Sequence, residues 1–235
     1  MNESQRIARR KDRMSNFIEY LDPVMSLPDR INQIFEDLGI SAEQREGINA
    51  FLCPIKVKDS ATYDHSLRVG LLSREIGRFV HFDQWALFYA GILHDVGKAL
   101  TRVETLRQTD TWTPEDAEEI KAHVTDGHRL LRGYFDFSAE IILWHHRFQR
   151  GGYPEKLPEP LHGYSEGTMT MIPFYGRMLA LADVYDALHR INAKFGPLTG
   201  EMIKEKMFLF NPDQEVLLGN LYDEGIFTTY TVPQS

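Results

Sequence analysis

The chain has 235 residues and a net charge of −8, with 43% hydrophobic and 26% charged residues. This length suits one globular domain, or one domain with a helical extension, and it can bury a core without disulfides. The negative net charge argues against a protein that binds long nucleic acid. A small anionic ligand can still bind in a locally positive cleft. Cys53 is the single cysteine, so no internal disulfide can form. We expect it to be a buried thiol in a reducing compartment.

Neither export nor membrane insertion is predicted. Residues 1–14 are polar and basic, with no apolar stretch behind them, unlike a signal peptide. The longest apolar run, residues 85–93, is too short to cross a bilayer. We therefore expect a cytoplasmic protein without a membrane contact.

Helix start signals recur along the chain. A side chain that can accept a hydrogen bond from the first helical turn stands before each of several helical stretches. Such N-caps are predicted at Ser41, Thr113, Ser138, Thr199 and Asn211, and the helix opened by Asn211 should stop near Gly225. Alternating strand patterns are nearly absent, and only residues 227–232 fit a short extended tail. The sequence therefore predicts an all-α protein.

The chemistry-bearing residues are confined to one part of the chain. Residues 1–54 are predicted to form an N-terminal helical extension that packs on the body or makes a dimer contact. Residues 55–235 are predicted to form the functional domain. Within it, the polar segment 99–113 and the Gly- and Pro-rich segment 150–170 are predicted as loops that shape a pocket.

A buried helix is predicted over residues 85–93, and it delivers His94 and Asp95 at its end. A neutral imidazole beside a carboxylate suits a divalent metal, and the two oxygens of Asp95 can bridge two ions. Lys98 follows three residues later and can reach a phosphate as a point charge. Taken alone, such a pair is more often a satisfied helix end than a metal site.

Two further polar residues lie within apolar helical patterns. His65 shares a helical face with the apolar residues of the stretch 63–80. Asp183 stands inside an apolar run, where a buried carboxylate needs a compensating partner. The alternatives are a core histidine at position 65 and a salt bridge to an arginine at position 183.

Three more histidines extend this set. His123 is predicted on the helix that starts after Thr113, and His145 and His146 are adjacent at the end of a helix predicted over residues 139–148. Two consecutive histidines are hard to satisfy by packing alone, although a half-exposed pair is the alternative. The remaining histidines are predicted as surface or loop residues: His81, His128, His162 and His189.

Taken in order, these residues resemble the HD phosphohydrolase superfamily and, within it, the HD-GYP family. The resemblance runs from about residue 63 to residue 187. It rests on His65-Ser-Leu-Arg68, Leu93-His-Asp-Val-Gly-Lys98, His123 followed by Gly127, His145-His146, Gly151-Gly-Tyr-Pro154 and Asp183-Val-Tyr-Asp-Ala-Leu188. It implies an HD-domain helical bundle and metal-dependent hydrolysis of phosphoesters. The family's known substrate is cyclic di-GMP, with related cyclic dinucleotides in some members.

The resemblance also implies a ligand set for two divalent transition-metal ions. The first ion would be held by His65, His94, Asp95 and Asp183. Asp95 would bridge to the second, which His123, His145 and His146 complete. Ala61 stands where some members carry a third-metal Glu, so we expect two ions. Iron or manganese is favoured, with nickel and cobalt as alternatives.

Residue roles follow from the same resemblance and from the charges near the motifs. Asp95 and Lys98 are the predicted catalytic residues. The predicted nucleotide contacts are Lys98, Arg68, Arg147, Arg150 and Tyr153. Several positions depart from the family pattern: Arg147 replaces a usual Glu, Arg150 a usual Asp, Asn192 a phosphate-binding Arg and Phe195 a common basic residue. Ordinary surface charge is the alternative interpretation of Arg147 and Arg150, and the two are evenly weighted.

The favoured function is therefore hydrolysis of a cyclic dinucleotide. A nucleotide phosphomonoesterase of the wider HD superfamily is the second enzyme hypothesis, because the residues around the metal ligands have changed. A regulatory module that binds metal and nucleotide without turnover is the third. The expected partners are a small nucleotide and either a second copy of the chain or a regulatory protein.

Overall fold

The structure is a computed structural model that describes residues 25–108, 112–160, 162–190 and 196–228. Within these ranges the chain is all-α, as predicted, and no strand occurs. In chain order the helices are α1 (Leu27–Asp37), α2 (Ala42–Lys58), α3 (Ser60–Val80), α4 (Gln84–Leu93), α5 (Val103–Arg107), α6 (Pro114–Lys121), α7 (His123–Leu131), α8 (Asp136–Ile142), α9 (Glu166–His189), α10 (Gly200–Phe210) and α11 (Glu215–Asp223). Short 3-10 turns at Val96–Ala99 and Pro212–Gln214 follow α4 and α10.

Three of the five predicted caps, at Ser41, Thr113 and Thr199, are confirmed. Ser41 accepts a hydrogen bond from the Gln44 backbone, and the Gln44 side chain accepts one from the Ser41 backbone. Thr113 and Asp116 form the same pair of reciprocal hydrogen bonds, a capping box, at the start of α6. Thr199 caps α10. Losing one such cap typically costs about 0.5–2 kcal/mol. Two predicted caps are wrong. Ser138 lies inside α8. The Asn211 side chain caps no helix, because it accepts from Arg177 and donates to the carbonyl oxygen of Met207 instead.

The centre of the core is α4, the apolar helix predicted over residues 85–93. Leu87, Phe88 and Ile92 on this helix have no exposed surface. The helix lies against α3, and α8 and α9 also contact it. Fully burying a side chain of this size stabilises the fold by about 1.5–3 kcal/mol. The residues at the end of α4 thus follow a helix that is mostly buried in the core.

The N-terminal helices share this core. Ile34 and Phe35 on α1, and Leu52 and Ile55 on α2, belong to the same buried cluster as the α4 residues. Helices α1 and α2 therefore pack on the body, which is one of the two arrangements predicted for residues 1–54. The boundary predicted after residue 54 falls inside α2, and the division of the chain into two parts stays a prediction.

Three predicted segments differ in detail from the structure. The helix predicted to run from Thr113 through His123 is broken at Ala122, so His123 opens the separate helix α7. The segment 99–113 contains the short helix α5, and the segment 150–170 becomes helical after Ser165, which caps α9. The final helix ends at Asp223, close to the expected Gly225. Phe227 and Thr228 carry no strand, and the rest of the predicted extended tail lies outside the described residues.

Two residue-level expectations are wrong. Cys53 is exposed rather than buried, because it lies on the outer side of α2. His128 is only 1% exposed, and its Nε2 lies 3.5 Å from Glu140 Oε1 between α7 and α8. The helical spacing places His128 on the inner face of α7 together with Val124 and Leu131, which are also buried.

No helix in the described ranges combines the length and apolarity that a bilayer crossing requires.

Candidate metal centre

The side chains predicted as metal ligands meet at one place, although they come from five separate parts of the fold. All except the half-buried His146 are at most 7% exposed. They are His65 on α3, His94 and Asp95 at the end of α4, His123 at the start of α7, His145 and His146 after α8, and Asp183 on α9. The fold therefore converges these residues as the sequence predicted.

Their ligand atoms lie close enough together that they could hold metal ions. Three groups have all their ligand atoms within 4.8 Å of one another: His123, His145 and His146; His65, His94 and Asp95; and His94, His145 and Asp183. The first group contains the predicted second half-site without Asp95, and the second group contains the predicted first half-site without Asp183. The third group joins them, so the side chains form one continuous cluster that could hold metal ions.

Three of the histidines are oriented by the same local contact. Nδ1 of His94 lies 2.8 Å from Gly91 O, and Nδ1 of His145 lies 2.5 Å from Ile142 O. His123 Nδ1 makes the same contact with the carbonyl three residues before it. Because a carbonyl oxygen can only accept, each Nδ1 carries the hydrogen and each Nε2 presents its lone pair to the centre.

His65 is held by a carboxylate instead. Its Nδ1 lies 2.7 Å from Asp186 Oδ2, and its Nε2 faces Asp183 Oδ1 at 3.1 Å. Arg68 in turn donates to both oxygens of Asp186, from Nε at 2.6 Å and from Nη2 at 3.0 Å. Arg68 was predicted as a nucleotide contact. In the structure its guanidinium pairs with Asp186, the carboxylate that contacts the proposed ligand His65.

Asp95 stands between the two halves of the cluster. Its Oδ1 lies 3.4 Å from His123 Nε2, while its Oδ2 lies 3.4 Å from His94 Nε2 and 3.7 Å from His65 Nε2. Lys98 Nζ approaches the same Oδ2 at 2.6 Å. The two oxygens thus face different histidine groups, which is the arrangement a bridging carboxylate needs.

Four polar atoms at this centre lack protein hydrogen-bond partners. Among the described residues, buried atoms without a hydrogen bond include Nε2 of His94, His123 and His145, and Oδ1 of Asp95. Each such atom costs about 1–3 kcal/mol when it is left unsatisfied. Imidazole nitrogen and carboxylate oxygen are donors for divalent transition metals, so a bound cation would satisfy all of them. The residues present therefore fit a metal site.

Protonation also favours ligation by most of the histidines. Burial lowers the pKa of His94 to about 4 and that of His123 to about 3, and it lowers the pKa of His145 as well. These rings are therefore neutral at pH 7, as ligation requires. In His65, burial acts to lower the pKa, but hydrogen bonds with Asp183 and Asp186 outweigh it and raise the pKa.

The carboxylates are ionised. Burial would raise the pKa of Asp183, but the hydrogen bond with His65 and the surrounding histidines hold the pKa well below its usual range. Burial likewise opposes ionisation of Asp95, and His94 and Lys98 outweigh it to lower its pKa. The centre therefore combines neutral imidazoles with anionic carboxylates, a donor set suited to a divalent cation.

Gly97 explains how the end of α4 comes so close to α7. A Cβ at this position would lie 1.9 Å from His123 O and 2.6 Å from Gly127 N. These are backbone atoms, which cannot rotate away. Only glycine therefore permits the approach that brings Asp95 within reach of His123.

The Gly-Tyr-Pro segment lies against one edge of the cluster. The Tyr153 ring stacks on His146, with centroids 4.6 Å apart and an interplanar angle of 23°. Arg147 donates to the carbonyls of Pro154 and Glu155. Arg150 is exposed in the same segment. Burial raises the pKa of Tyr153, so its hydroxyl stays protonated.

Two neighbours of the ligands had no role assigned from the sequence. Asp186 was part of a quoted motif, and its spacing of three residues from Asp183 places both on one face of α9. The Gln149 side-chain nitrogen lies 3.2 Å from His146 Nδ1, and no motif marked it. Asn192 and Phe195, two departures from the family pattern, lie outside the described residues.

Comparisons with known proteins agree with this arrangement. A family model described as "HD domain" matches residues 62–188. A cyclic di-GMP phosphodiesterase of Thermotoga maritima is 33% identical over 139 residues, which cover 56% of this chain and 35% of that protein. The 3'3'-cGAMP-specific phosphodiesterase 1 of Vibrio cholerae is 30% identical over 182 residues, covering 74% of this chain and 38% of that protein. The chain thus spans between a third and two-fifths of the length of these relatives.

A solved structure agrees on the fold. The HD domain of the L. monocytogenes phosphodiesterase PgpH, in complex with cyclic-di-AMP, superposes with a TM-score of 0.52 at 20% identity. The match covers 76% of this chain and 91% of that one. The cyclic di-GMP phosphodiesterases among the relatives agree with the resemblance to HD-GYP proteins noted in the sequence. The chain belongs to the HD domain family.

Proposed function

We propose that this chain is a metal-dependent phosphodiesterase that hydrolyses cyclic di-GMP or a related cyclic dinucleotide. The position of Asp95 carries the proposal, because one of its oxygens faces His123 and the other faces His94 and His65. A carboxylate placed in this way can bridge two ions, and ions about 3.5–4 Å apart are a recurring device for phosphoester hydrolysis. The names of the curated relatives support the substrate class.

The proposed ligands divide between two ions. His65, His94, Asp95 and Asp183 would hold the first, and Asp95 would also contact the second. The second ion would be completed by His123, His145 and His146. Ala61 is exposed at the start of α3 and has no donor atom in its side chain, so we propose two ions rather than three. The mixed nitrogen and oxygen donors favour iron or manganese, with nickel and cobalt as alternatives.

When bound, the ions would supply Lewis acidity toward the phosphoryl oxygens and toward water. The chain's own residues would position the reactants. Asp95 would fix the two half-sites relative to each other. Lys98, whose side chain is 18% exposed, would place positive charge beside the phosphoryl oxygens. Tyr153 would offer an aromatic edge, and Arg150 an exposed cation, to the rest of the nucleotide.

Two other functions remain as outcomes of the test. Arg68 and Arg147 are engaged with protein groups, which leaves fewer cations for a dinucleotide and favours a nucleotide phosphomonoesterase as the second hypothesis. A regulatory module that binds metal and nucleotide without turnover is the third. A bound metal would satisfy the unpartnered atoms of the centre in this module as well, so turnover is what separates it from an enzyme.

The test is hydrolysis of a substrate panel by protein purified without chelator and reloaded with manganese or iron. The panel contains cyclic di-GMP, other cyclic dinucleotides, linear dinucleotides, mononucleotides and an aryl phosphodiester. We expect cyclic dinucleotides to be preferred, with no turnover in Asp95→Ala. We expect kcat to fall about 100-fold in Lys98→Ala, but not in Lys121→Ala, an exposed lysine paired with Glu118. Preference for mononucleotides would establish the phosphomonoesterase, and binding without turnover would establish the regulatory module.

A further inference from the structure

The segment that follows the paired histidines folds back over its own backbone. A Cβ on Gly152 would lie 2.4 Å from the carbonyl oxygen of Arg147 and 2.8 Å from its Cα. Only glycine therefore fits at position 152, and the close approach turns the chain sharply. The next residue, Tyr153, is consequently held near the residues that immediately precede Arg147.

The Arg147 side chain closes this turn. Its Nη1 donates to the carbonyl oxygen of Pro154 and, at 3.2 Å, to that of Glu155. Its guanidinium carbon also lies 5.2 Å from the ring centroid of Trp144. Hydrogen bonds from a charged donor are stronger than neutral ones, and the planar guanidinium can serve two acceptors at once. Arg147 therefore joins the two ends of the turn.

The turn positions Tyr153 against two proposed metal ligands. The Tyr153 ring stacks on His146 at 4.6 Å and meets the His123 ring edge-on at 6.1 Å. Aromatic contacts of this kind have defined geometries and restrain both rings. A change in the turn would therefore shift an aromatic surface directly beside the cluster.

We propose that Arg147 is a positioning residue that attaches the Gly-Tyr-Pro turn and thereby holds Tyr153 against His146 as one wall of the nucleotide pocket. The pocket role rests on the proposed function, whereas the attachment does not. The competing role, predicted from the sequence, is a direct contact between Arg147 and a substrate phosphate. The two roles differ in one respect: attachment operates before any nucleotide binds.

The first test is hydrogen–deuterium exchange in the metal-loaded protein without nucleotide. In Arg147→Ala we expect the amides of residues 151–153 and 155–157 to exchange at least about tenfold faster, because the turn loses both charged hydrogen bonds. Arg150→Ala removes the same charge from the same segment and should leave this exchange near that of the parent. Unchanged exchange in Arg147→Ala would overturn the proposal, whether or not the protein turns over any nucleotide.

The second test is a double-mutant cycle on the kcat/KM for cyclic di-GMP. Arg147→Ala should lose about tenfold in the parent and under about twofold in a Tyr153→Ala background, because the two residues act in series. An equal loss in both backgrounds would indicate a direct phosphate contact and overturn the proposal. Thermal unfolding identifies any variant that fails to fold.

If Arg147→Ala fails to fold, a more conservative variant tests the same proposal. Arg147→Lys keeps the charge, but its side chain is shorter and lacks the planar guanidinium that lies over the Trp144 ring. It should therefore restore only part of the protection from exchange and only part of the turnover. Full recovery of turnover without recovery of protection would overturn the proposal, because charge alone would then suffice.

Discussion

Asp186 accepts hydrogen bonds from Arg68 and lies 2.7 Å from His65 Nδ1, so it holds a proposed ligand from behind. The backbone carbonyls behind His94 and His145 act in the same way. Partners of this kind fix the ring orientation and the tautomer that a metal requires. Single residues outside the ligand set therefore decide how well the centre is organised.

We expect Asp186→Asn to weaken metal binding by about 10- to 100-fold, the usual effect of losing a carboxylate behind a histidine ligand. The measurement is calorimetric titration of manganese into chelator-treated protein. Glu166→Gln provides a matched control, since it removes an exposed carboxylate from the same helix. Equal manganese affinity in Asp186→Asn and the parent would show that Asp186 does not support the site.

The sequence predicted which residues would converge but not how each is held. Periodicity identified the inward faces of His65 and Asp183, and adjacency marked the paired histidines. It gave no way to foresee that Arg68 would pair with Asp186, because those residues are 118 positions apart. Contacts between distant segments depend on packing that no local pattern contains.

At the scale of elements, the centre depends on the close contact between the turn after α4 and the start of α7. The sequence indicated the buried α4 correctly, but it predicted one helix where the structure has α6 and α7. The break at Ala122 allows α7 to approach Gly97 independently of α6. Apolar periodicity continues across such a break, so the periodicity could not reveal where the helix is interrupted.

We expect Gly97→Ala to destabilise the protein by about 1–3 kcal/mol, because the new methyl group would overlap the backbone of α7. Metal affinity should fall as well, since His123 would move away from Asp95. Urea denaturation measures the first effect. A Cβ on Gly219 in α11 meets nothing within 4 Å, so Gly219→Ala should be neutral or slightly stabilising. Equal stability of the Gly97→Ala variant and the parent would contradict this account of the contact.

At the scale of the whole molecule, the fold encloses a charged and unsatisfied cluster inside an apolar bundle. Six of the proposed ligands are at most 7% exposed, and the surrounding residues are those of the main core. A metal ion that binds only the folded state stabilises that state by mass action. The gain is about 2.7 kcal/mol when the free ion is at 100 times its dissociation constant. Folding and metal binding should therefore be coupled in this protein.

The fold class and the converging residues were predictable because helix caps and helical periodicity are local properties. The extent of the core was not predictable. Helices α1 and α2 join the core through contacts with α3, and no pattern in the N-terminal sequence indicates those contacts. Cys53 illustrates the same limit: its neighbours suggested burial, and only the packing of α2 places it outside.

The most direct test of metal-dependent hydrolysis is titration of manganese into chelator-treated protein. Cyclic di-GMP hydrolysis and bound metal are measured on the same samples. We predict no turnover without metal and a rate that rises until two ions are bound per chain. In Asp95→Ala, turnover should stay absent at every metal concentration. Turnover that persists after complete metal removal, or that is retained in Asp95→Ala, would contradict the proposed metal-dependent phosphodiesterase.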